Sequence, residues 1–372
     1  MMEQSNDDWL LRLAHADYAI YGYGKIGKEA ERELHGLSLR YICDRSFEGN
    51  NCLRGGDITP VELFQISEEK RPVVLICASE VNRTVIRRVL GKFGWIYGWN
   101  MFYYHEFMRD VYSWLRMILQ QKIYLPILTF SVTGYCSLRC RKCSLKMPYQ
   151  DHPKHRDLSE ACDDLAKAFF KVDFSKEISI VGGEPLLWPY LVEFLDVLYS
   201  RYHMQYQSAR VLTNGTVPLS SELIACLKRN GVMLEVTHYP NAVNEEQYAS
   251  IIEICRREDI LYRVIDHPYW FDFGLTPEDA QDGNGKAIYL GCDSLCRGVY
   301  DGKLVYCFPG YFSGLAYGFS DAKQGLDLDR ATKQEIFRYY YGCDTQRVPA
   351  YCRYCRGFST APRIPVAEQM ES

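Results

Sequence analysis

The sequence predicts an α/β protein: an incomplete (β/α)6 barrel of the TIM type, preceded by a parallel-sheet domain and followed by a small cysteine-rich domain. Three observations carry this. Short apolar runs alternate with amphipathic stretches in two separate blocks, as parallel strands covered by helices require. A glycine-rich turn joins the first strand to the first helix. Finally, nine of the fifteen cysteines fall in two groups, the later one within a stretch of little periodicity.

In the first block, 18–24, 39–44 and 73–79 read as strands, with helices over 25–35 and 81–92. An aromatic-rich amphipathic segment follows and reads as a linking helix, its rings as core packing. The second block reads as strands at 127–134, 177–183, 209–215, 233–238 and 261–266. Helical patterns intervene at 159–171, 189–201, 220–229 and 245–258, which gives successive βα units of barrel type. The expected domains are 1–100, the linking helix 101–124, the barrel 125–288, the cysteine-rich domain 289–360 and a tail 361–372.

Composition bounds the function. The chain has 372 residues, 47% hydrophobic and 24% charged, with a net charge of −4, so a nucleic-acid backbone is not the expected partner. No apolar run approaches the roughly 20 residues of a membrane helix, and no N-terminal apolar leader is present. A cytoplasmic protein without a membrane span is expected. Cytosolic thiols stay reduced, which argues against a disulfide framework. Cys43, Cys52, Cys77, Cys162, Cys226 and Cys255 stand singly and read as small buried hydrophobes. Grouped thiolates, in contrast, point to metal.

The first group, in SVTGYCSLRCRKCSLKMP (131–148), places Cys136, Cys140 and Cys143 in C-x3-C-x2-C spacing just after the first barrel strand. Soft thiolates select zinc or iron–sulfur clusters. Structural zinc wants four closed ligands, and the nearest extra candidates, His152 and His155, lack finger-like spacing. Three ligands on a four-iron cluster leave one iron open, which suits catalysis.

This loop resembles that of the radical S-adenosylmethionine (SAM) superfamily. VGGEPLL (181–187) is similar to the family's Gly-Gly-Glu-Pro motif, VLTNGT (211–216) to its third-strand end, and Thr237 stands at the fourth-strand end. The resemblance implies a [4Fe–4S] cluster on the three cysteines. It also implies SAM held by Gly182, Gly183, Glu184, Thr213, Asn214 and Thr237. The family usually carries an aromatic residue just before the third cysteine, near the adenine; here it is Lys142. The implied chemistry is reductive cleavage of SAM to a 5′-deoxyadenosyl radical that abstracts hydrogen from substrate, with flavodoxin or ferredoxin as electron donor.

The second group runs GCDSLCRGVYDGKLVYC (291–307), Cys343 and YCRYC (351–355). Cys292, Gly302, Cys307, Cys352 and Cys355 resemble the signature of the auxiliary-cluster domains called SPASM and Twitch, with Cys296 an alternative first ligand and Cys343 a further candidate. Six thiols serve one four-iron cluster, whereas two fully ligated clusters would take eight. One auxiliary [4Fe–4S] cluster is therefore expected, with a zinc ribbon as the alternative reading of the same pairs.

In the first block, Gly22-x-Gly24-x-x-Gly27 joins a strand to a helix, and Asp44 ends the next strand, as a dinucleotide fingerprint asks. The block is similar to small Rossmann-like domains beside sugar-modifying and polysaccharide-assembly enzymes. The resemblances together imply oxidation or epimerisation of a small-molecule or nucleotide-linked substrate, such as a nucleotide sugar. Maturation of a ribosomal peptide is the alternative, and a non-catalytic zinc or iron–sulfur protein is an alternative of another class. His238 and His267, near strand ends, are weak acid–base candidates, since histidines there are more often satisfied structurally.

Overall fold

A computed structural model describes residues 2–49, 54–240, 242–280, 285–292, 294, 296–318 and 325–371; Cys52 lies outside them. The chain forms two compact units, residues 1–122 and 123–372.

The first unit begins with α1 (Met2–Ala14), β1 (Asp17–Tyr21), α2 (Lys25–Glu33), β2 (Ser38–Cys43) and β3 (Asp57–Ile58). It continues with α3 (Pro60–Phe64), β4 (Val73–Ile76), α4 (Glu80–Lys92) and β5 (Met101–Tyr103). The strands make one parallel sheet in the order β3-β2-β1-β4-β5. Alternate residues of β1 serve opposite cores, because strand side chains have period two. Tyr18 and Ile20 pack with Leu75 and Phe107, while Ala19 packs with Val74, Ile76 and Trp95. All four residues of β4 are buried, as expected of a sheet covered on both faces.

The expected linking helix over 101–124 is not one helix. Met101–Tyr103 is the fifth strand, and α5 (Tyr104–Phe107), a π turn (Met108–Tyr112) and α6 (Ser113–Gln120) follow. Phe107, Val111 and Leu115 recur every four residues and bury against the sheet, so this run completes the first unit's core. Gln121, with φ 52°, ends α6 in the left-handed conformation.

The second unit opens with β6 (Tyr124–Leu125) and β7 (Leu128–Ser131). The helix–strand run α7 (Leu158–Lys171), β8 (Phe174–Val181), α8 (Leu191–Tyr202), β9 (Tyr206–Thr213), α9 (Ser221–Asn230), β10 (Met233–His238), α10 (Glu245–Arg257) and β11 (Tyr262–Asp266) follows. Strands β7 to β11 are consecutive parallel neighbours. The helices obey local chemistry: Ser220 caps α9 by accepting from Leu223 N, and Gly231 ends it with φ +60°.

After β12 (Trp270–Phe271) and α11 (Gly285–Leu290) comes the hairpin β13 (Gly298–Tyr300) and β14 (Lys303–Val305). The chain closes with α12 (Phe308–Tyr317), β15 (Leu326–Asp327), α13 (Lys333–Tyr340) and β16 (Arg363–Ile364). The hairpin is not a separate sheet. Strand β13 lies parallel to β7, pairing Gly298 with Thr129, and so becomes a sixth parallel strand of the barrel sheet. Gly298 is required at this crossing, since a Cβ there would lie 2.2 Å from Thr129 O. Among the described residues, no helix is long and apolar enough to cross a membrane.

Candidate active site

The carboxyl ends of β7 to β10 converge on a cavity of about 720 Å³. Its lining includes Cys136, Cys140 and Cys143 from the loop after β7, Gly182 and Gly183 after β8, and Thr213 and Asn214 at the end of β9. Thr237 at the end of β10 completes this face, as expected for barrel-type chemistry. The structure therefore gathers seven expected residues, besides Thr237, in one place.

The glycines have a steric reason. Gly183 N donates to Thr133 O at 2.8 Å and Glu184 N to Tyr135 O at 2.7 Å, so the cysteine loop starts directly on the Gly-Gly backbone. A Cβ on Gly182 would lie 2.6 Å from Thr133 O, and one on Gly183 only 2.1 Å from Tyr135 O. Any side chain at either position would lift the loop.

Glu184 departs from expectation. Its carboxylate is fully buried, does not line the cavity, and accepts from Leu186 N at 3.0 Å and from Asn214 N at 2.8 Å. Burial pushes its pKa up to about 7, even against the bonds from Asn214, Leu186 and Thr213. With each oxygen accepting from a backbone N–H group, the side chain ties β8 to β9.

Lys142 also turns elsewhere: its Nζ pairs with Asp272 Oδ2 at 2.9 Å, and it does not line the cavity. Asn214 does line it, and its Nδ2 donates to Ser137 Oγ at 3.1 Å and to Cys136 Sγ at 3.6 Å. His238 is satisfied by Asp266 at 2.9 Å and Glu245 at 3.1 Å, and it stacks on Tyr248. Burial lowers its pKa, but these carboxylates outweigh that and the net shift is upward. His267 is exposed. Neither histidine lines the cavity.

The donor set fits an iron–sulfur cluster. Burial pushes the Cys136 thiol up to about 12 and Cys140 up to about 11, so without a metal both are protonated at neutral pH, and ligation would release their protons. Among the described residues, no three Cys, His, Asp or Glu side chains gather as tightly as a single ion needs.

In the second group, burial pushes Cys307 well above the ordinary thiol range, and the neighbouring Cys296, Cys292 and Cys352 add to it. Cys352 feels Cys292 and Cys355 in the same way, and Cys355 feels Cys292. Cys292, Cys307, Cys352 and Cys355 thus form one neighbourhood. Cys296 touches it through Cys307 and also lines the main cavity with Phe308 and Pro309. The Cys343 thiol donates to Tyr341 O at 3.6 Å, and Cys343 and Cys352 both act on Tyr289.

The glycine turn of the first unit is built as a close helix–strand junction. Gly22 has φ +98°, and a Cβ on Gly27 would lie 2.1 Å from Gly22 O. Gly24 is exposed and sterically free. Asp44 accepts from Tyr23 N at 2.5 Å through one oxygen and from Ser46 N at 2.8 Å through the other, so its carboxylate braces the turn.

Sequence reasoning missed Tyr239, Glu177 and Arg210, which line the cavity together with Trp270 of the YWFDFG stretch (269–274), a stretch the sequence does suggest for the substrate side. Arg210 is held by Glu177 and Glu235, each at 2.9 Å. A signal existed for Arg210: it sits between buried Ala209 and Val211 on β9, so alternation turns it to the other face.

The family model described as the Radical SAM superfamily matches residues 130–266. No curated protein matches the chain. Among solved structures, BtrN in complex with AdoMet and 2-DOIA is 16% identical with TM-score 0.42, covering 67% of this chain and 98% of that one. The anSMEcpe structure with bound AdoMet and a Cp18Cys peptide is 11% identical with TM-score 0.41, covering 67% and 91%. SuiB of Streptococcus suis, bound to S-adenosylmethionine, is 13% identical with TM-score 0.28, covering 50% of each chain. The three-thiol cavity and the family match agree: over residues 130–266 the chain carries a radical SAM superfamily domain, which implies a [4Fe–4S] cluster and S-adenosylmethionine.

Proposed function

We propose that this chain is an enzyme that cleaves S-adenosylmethionine reductively and removes a hydrogen atom from a substrate held in the same cavity. The observation that carries this is the convergence of Cys136, Cys140 and Cys143 with Gly182, Gly183, Thr213, Asn214 and Thr237 on one cavity wall. When bound, the reduced cluster and S-adenosylmethionine supply a 5′-deoxyadenosyl radical. The chain's own residues do the rest. Asn214 positions the cysteine loop through Cys136 and Ser137. Thr213 and Thr237 line the cavity at the strand ends, and the resemblance puts a ribose contact at Thr237. Leu138, Leu212, Tyr239 and Trp270 supply apolar wall that keeps water from a reactive radical.

The finer reading is an oxidation or epimerisation. It is supported by the neighbourhood of Cys292, Cys307, Cys352 and Cys355, whose four soft ligands suit one auxiliary [4Fe–4S] cluster able to take an electron from the substrate radical. A nucleotide-linked sugar or glycan precursor is favoured by the first unit's strand order and its tight glycine turn. The second cysteine group equally suits ribosomal-peptide maturation. Flavodoxin or ferredoxin would deliver the electron. Anaerobic reconstitution with reductant and S-adenosylmethionine, with and without nucleotide sugars or precursor peptides, tests this. Substrate-enhanced 5′-deoxyadenosine formation with one class selects it, and no cleavage under any condition contradicts the proposal.

A further inference from the structure

The residues C-terminal to the second cysteine group do not trail away as a tail. Strand β16 pairs antiparallel with β12, matching Ile364 to Trp270, a residue of the cavity wall. The chain then runs onto the catalytic cysteine loop. Arg141 N donates to Glu368 O at 2.7 Å and Met370 N to Arg139 O at 2.8 Å, so 368–370 and 139–141 form a short two-sided pairing. Ala367 is buried with Leu138 and Cys140 in a small apolar cluster that Cys136 and Cys143 also join.

At the centre of this pairing stands Gln369. Its Oε1 accepts from Arg139 N at 2.8 Å, and its Nε2 donates to Ala367 O at 2.6 Å and to Cys140 Sγ at 3.2 Å. The backbone N–H of Arg139 needs an acceptor, so the amide oxygen must face it and the NH2 must face the sulfur. One amide proton goes to Ala367 and the other to the thiolate. The orientation is therefore determined by three partners at once.

We infer that residues 361–370 are a strap that closes the catalytic cysteine loop, and that Gln369 is a positioning residue whose N–H···S bond to Cys140 tunes the cluster. The inference rests on reading Cys136, Cys140 and Cys143 as cluster ligands. A donor at a ligating sulfur stabilises the more negative, reduced cluster and so raises its potential; hydrogen bonds to sulfur are one of the levers that set cluster potentials. The strap also begins just after Cys355 and is braced by Arg356. Arg356 binds Asp272 at 3.0 Å, and Asp272 in turn binds Lys142 of the cysteine loop at 2.9 Å. The two cysteine groups are thus joined mechanically along one path.

The test is an EPR-monitored redox titration of the full reconstituted protein, following the reduced-cluster signal that changes on adding S-adenosylmethionine. Gln369→Leu removes the donor, and Gln369→Glu keeps the acceptor for Arg139 but sets a carboxylate beside the thiolate. Glu368→Ala, which removes only an exposed ion pair with Arg141, is the control for the strap. The expected result is a more negative potential in Gln369→Leu, lowering the reduced fraction at fixed poise at least about threefold, or about 28 mV for one electron. Gln369→Glu shifts further and Glu368→Ala does not shift. Where a variant does not retain its cluster, 15N hyperfine coupling in glutamine-labelled wild-type protein reads the same contact, and its absence overturns the inference. Intact clusters with unmoved potentials overturn it too, leaving the cluster reading in place. A wild-type chain that binds no iron overturns both.

Discussion

The carboxylate of Glu184, leaving the end of β8, accepts a 2.8 Å hydrogen bond from the backbone N–H of Asn214 at the end of β9. Asn214 in turn reaches Cys136 with its side chain. Glu184 thus ties β8 to β9 beneath the site and sets the position of the residue that steadies the first cysteine.

That tie has a pH signature. The Glu184 pKa rises in the fold from an ordinary 4.5 to about 7, so folding favours its protonated form. Its stabilising contribution is full below about pH 4.5 and is lost as pH climbs through 7, by a few kcal/mol at most. Urea unfolding between pH 5 and pH 8 should show this decline. Glu184→Gln should flatten it while lowering stability at pH 5 by about 1–2 kcal/mol, because one backbone N–H loses its acceptor. An identical slope in the variant would exclude Glu184 as the source.

Gly183→Ala should cost the catalytic cluster. The new methyl would sit 2.1 Å from Tyr135 O, which is backbone and cannot rotate aside. Iron per chain should fall by about four on reconstitution while the fold, read by circular dichroism, persists. Full iron loading would show that the loop relaxes without losing its ligand geometry.

Counting iron also separates the later cysteines. Reconstituted protein should hold about eight irons, and Cys352→Ala about four. Cys343→Ala should match the unaltered chain, because the Cys343 thiol donates to Tyr341 O within its own turn. Loss of a cluster in Cys343→Ala would redraw the ligand set.

Lys142 is expected to matter little. Its pair with Asp272 is substantially exposed on the lysine side, where ion pairs contribute under about 1 kcal/mol. Lys142→Met should leave the S-adenosylmethionine KM within about twofold; a tenfold rise, about 1.4 kcal/mol, would return this residue to the binding wall.

The barrel units were legible because their periodicity is local. Strand β10 and helix α10 stand within a residue of where alternation and 3.6-residue spacing put them. What escaped was non-local. The strand Met101–Tyr103 is too short to show alternation, so its aromatic residues read as part of a helix. The parallel pairing of β13 with β7 joins segments far apart in sequence, and nothing in either run announces the other. Motif spacing placed Gly182, Gly183 and Glu184 at the site but could not say which way the carboxylate points. Gln369 lies 229 residues from Cys140, in a stretch with no motif at all.

The most direct measurement is 5′-deoxyadenosine formation by anaerobically reconstituted protein given reductant and S-adenosylmethionine, beside the Cys140→Ala variant. The site described here requires the nucleoside to form with the unaltered chain and to vanish with the variant. Cleavage that continues undiminished without Cys140, or none from the intact three-cysteine loop, would contradict it.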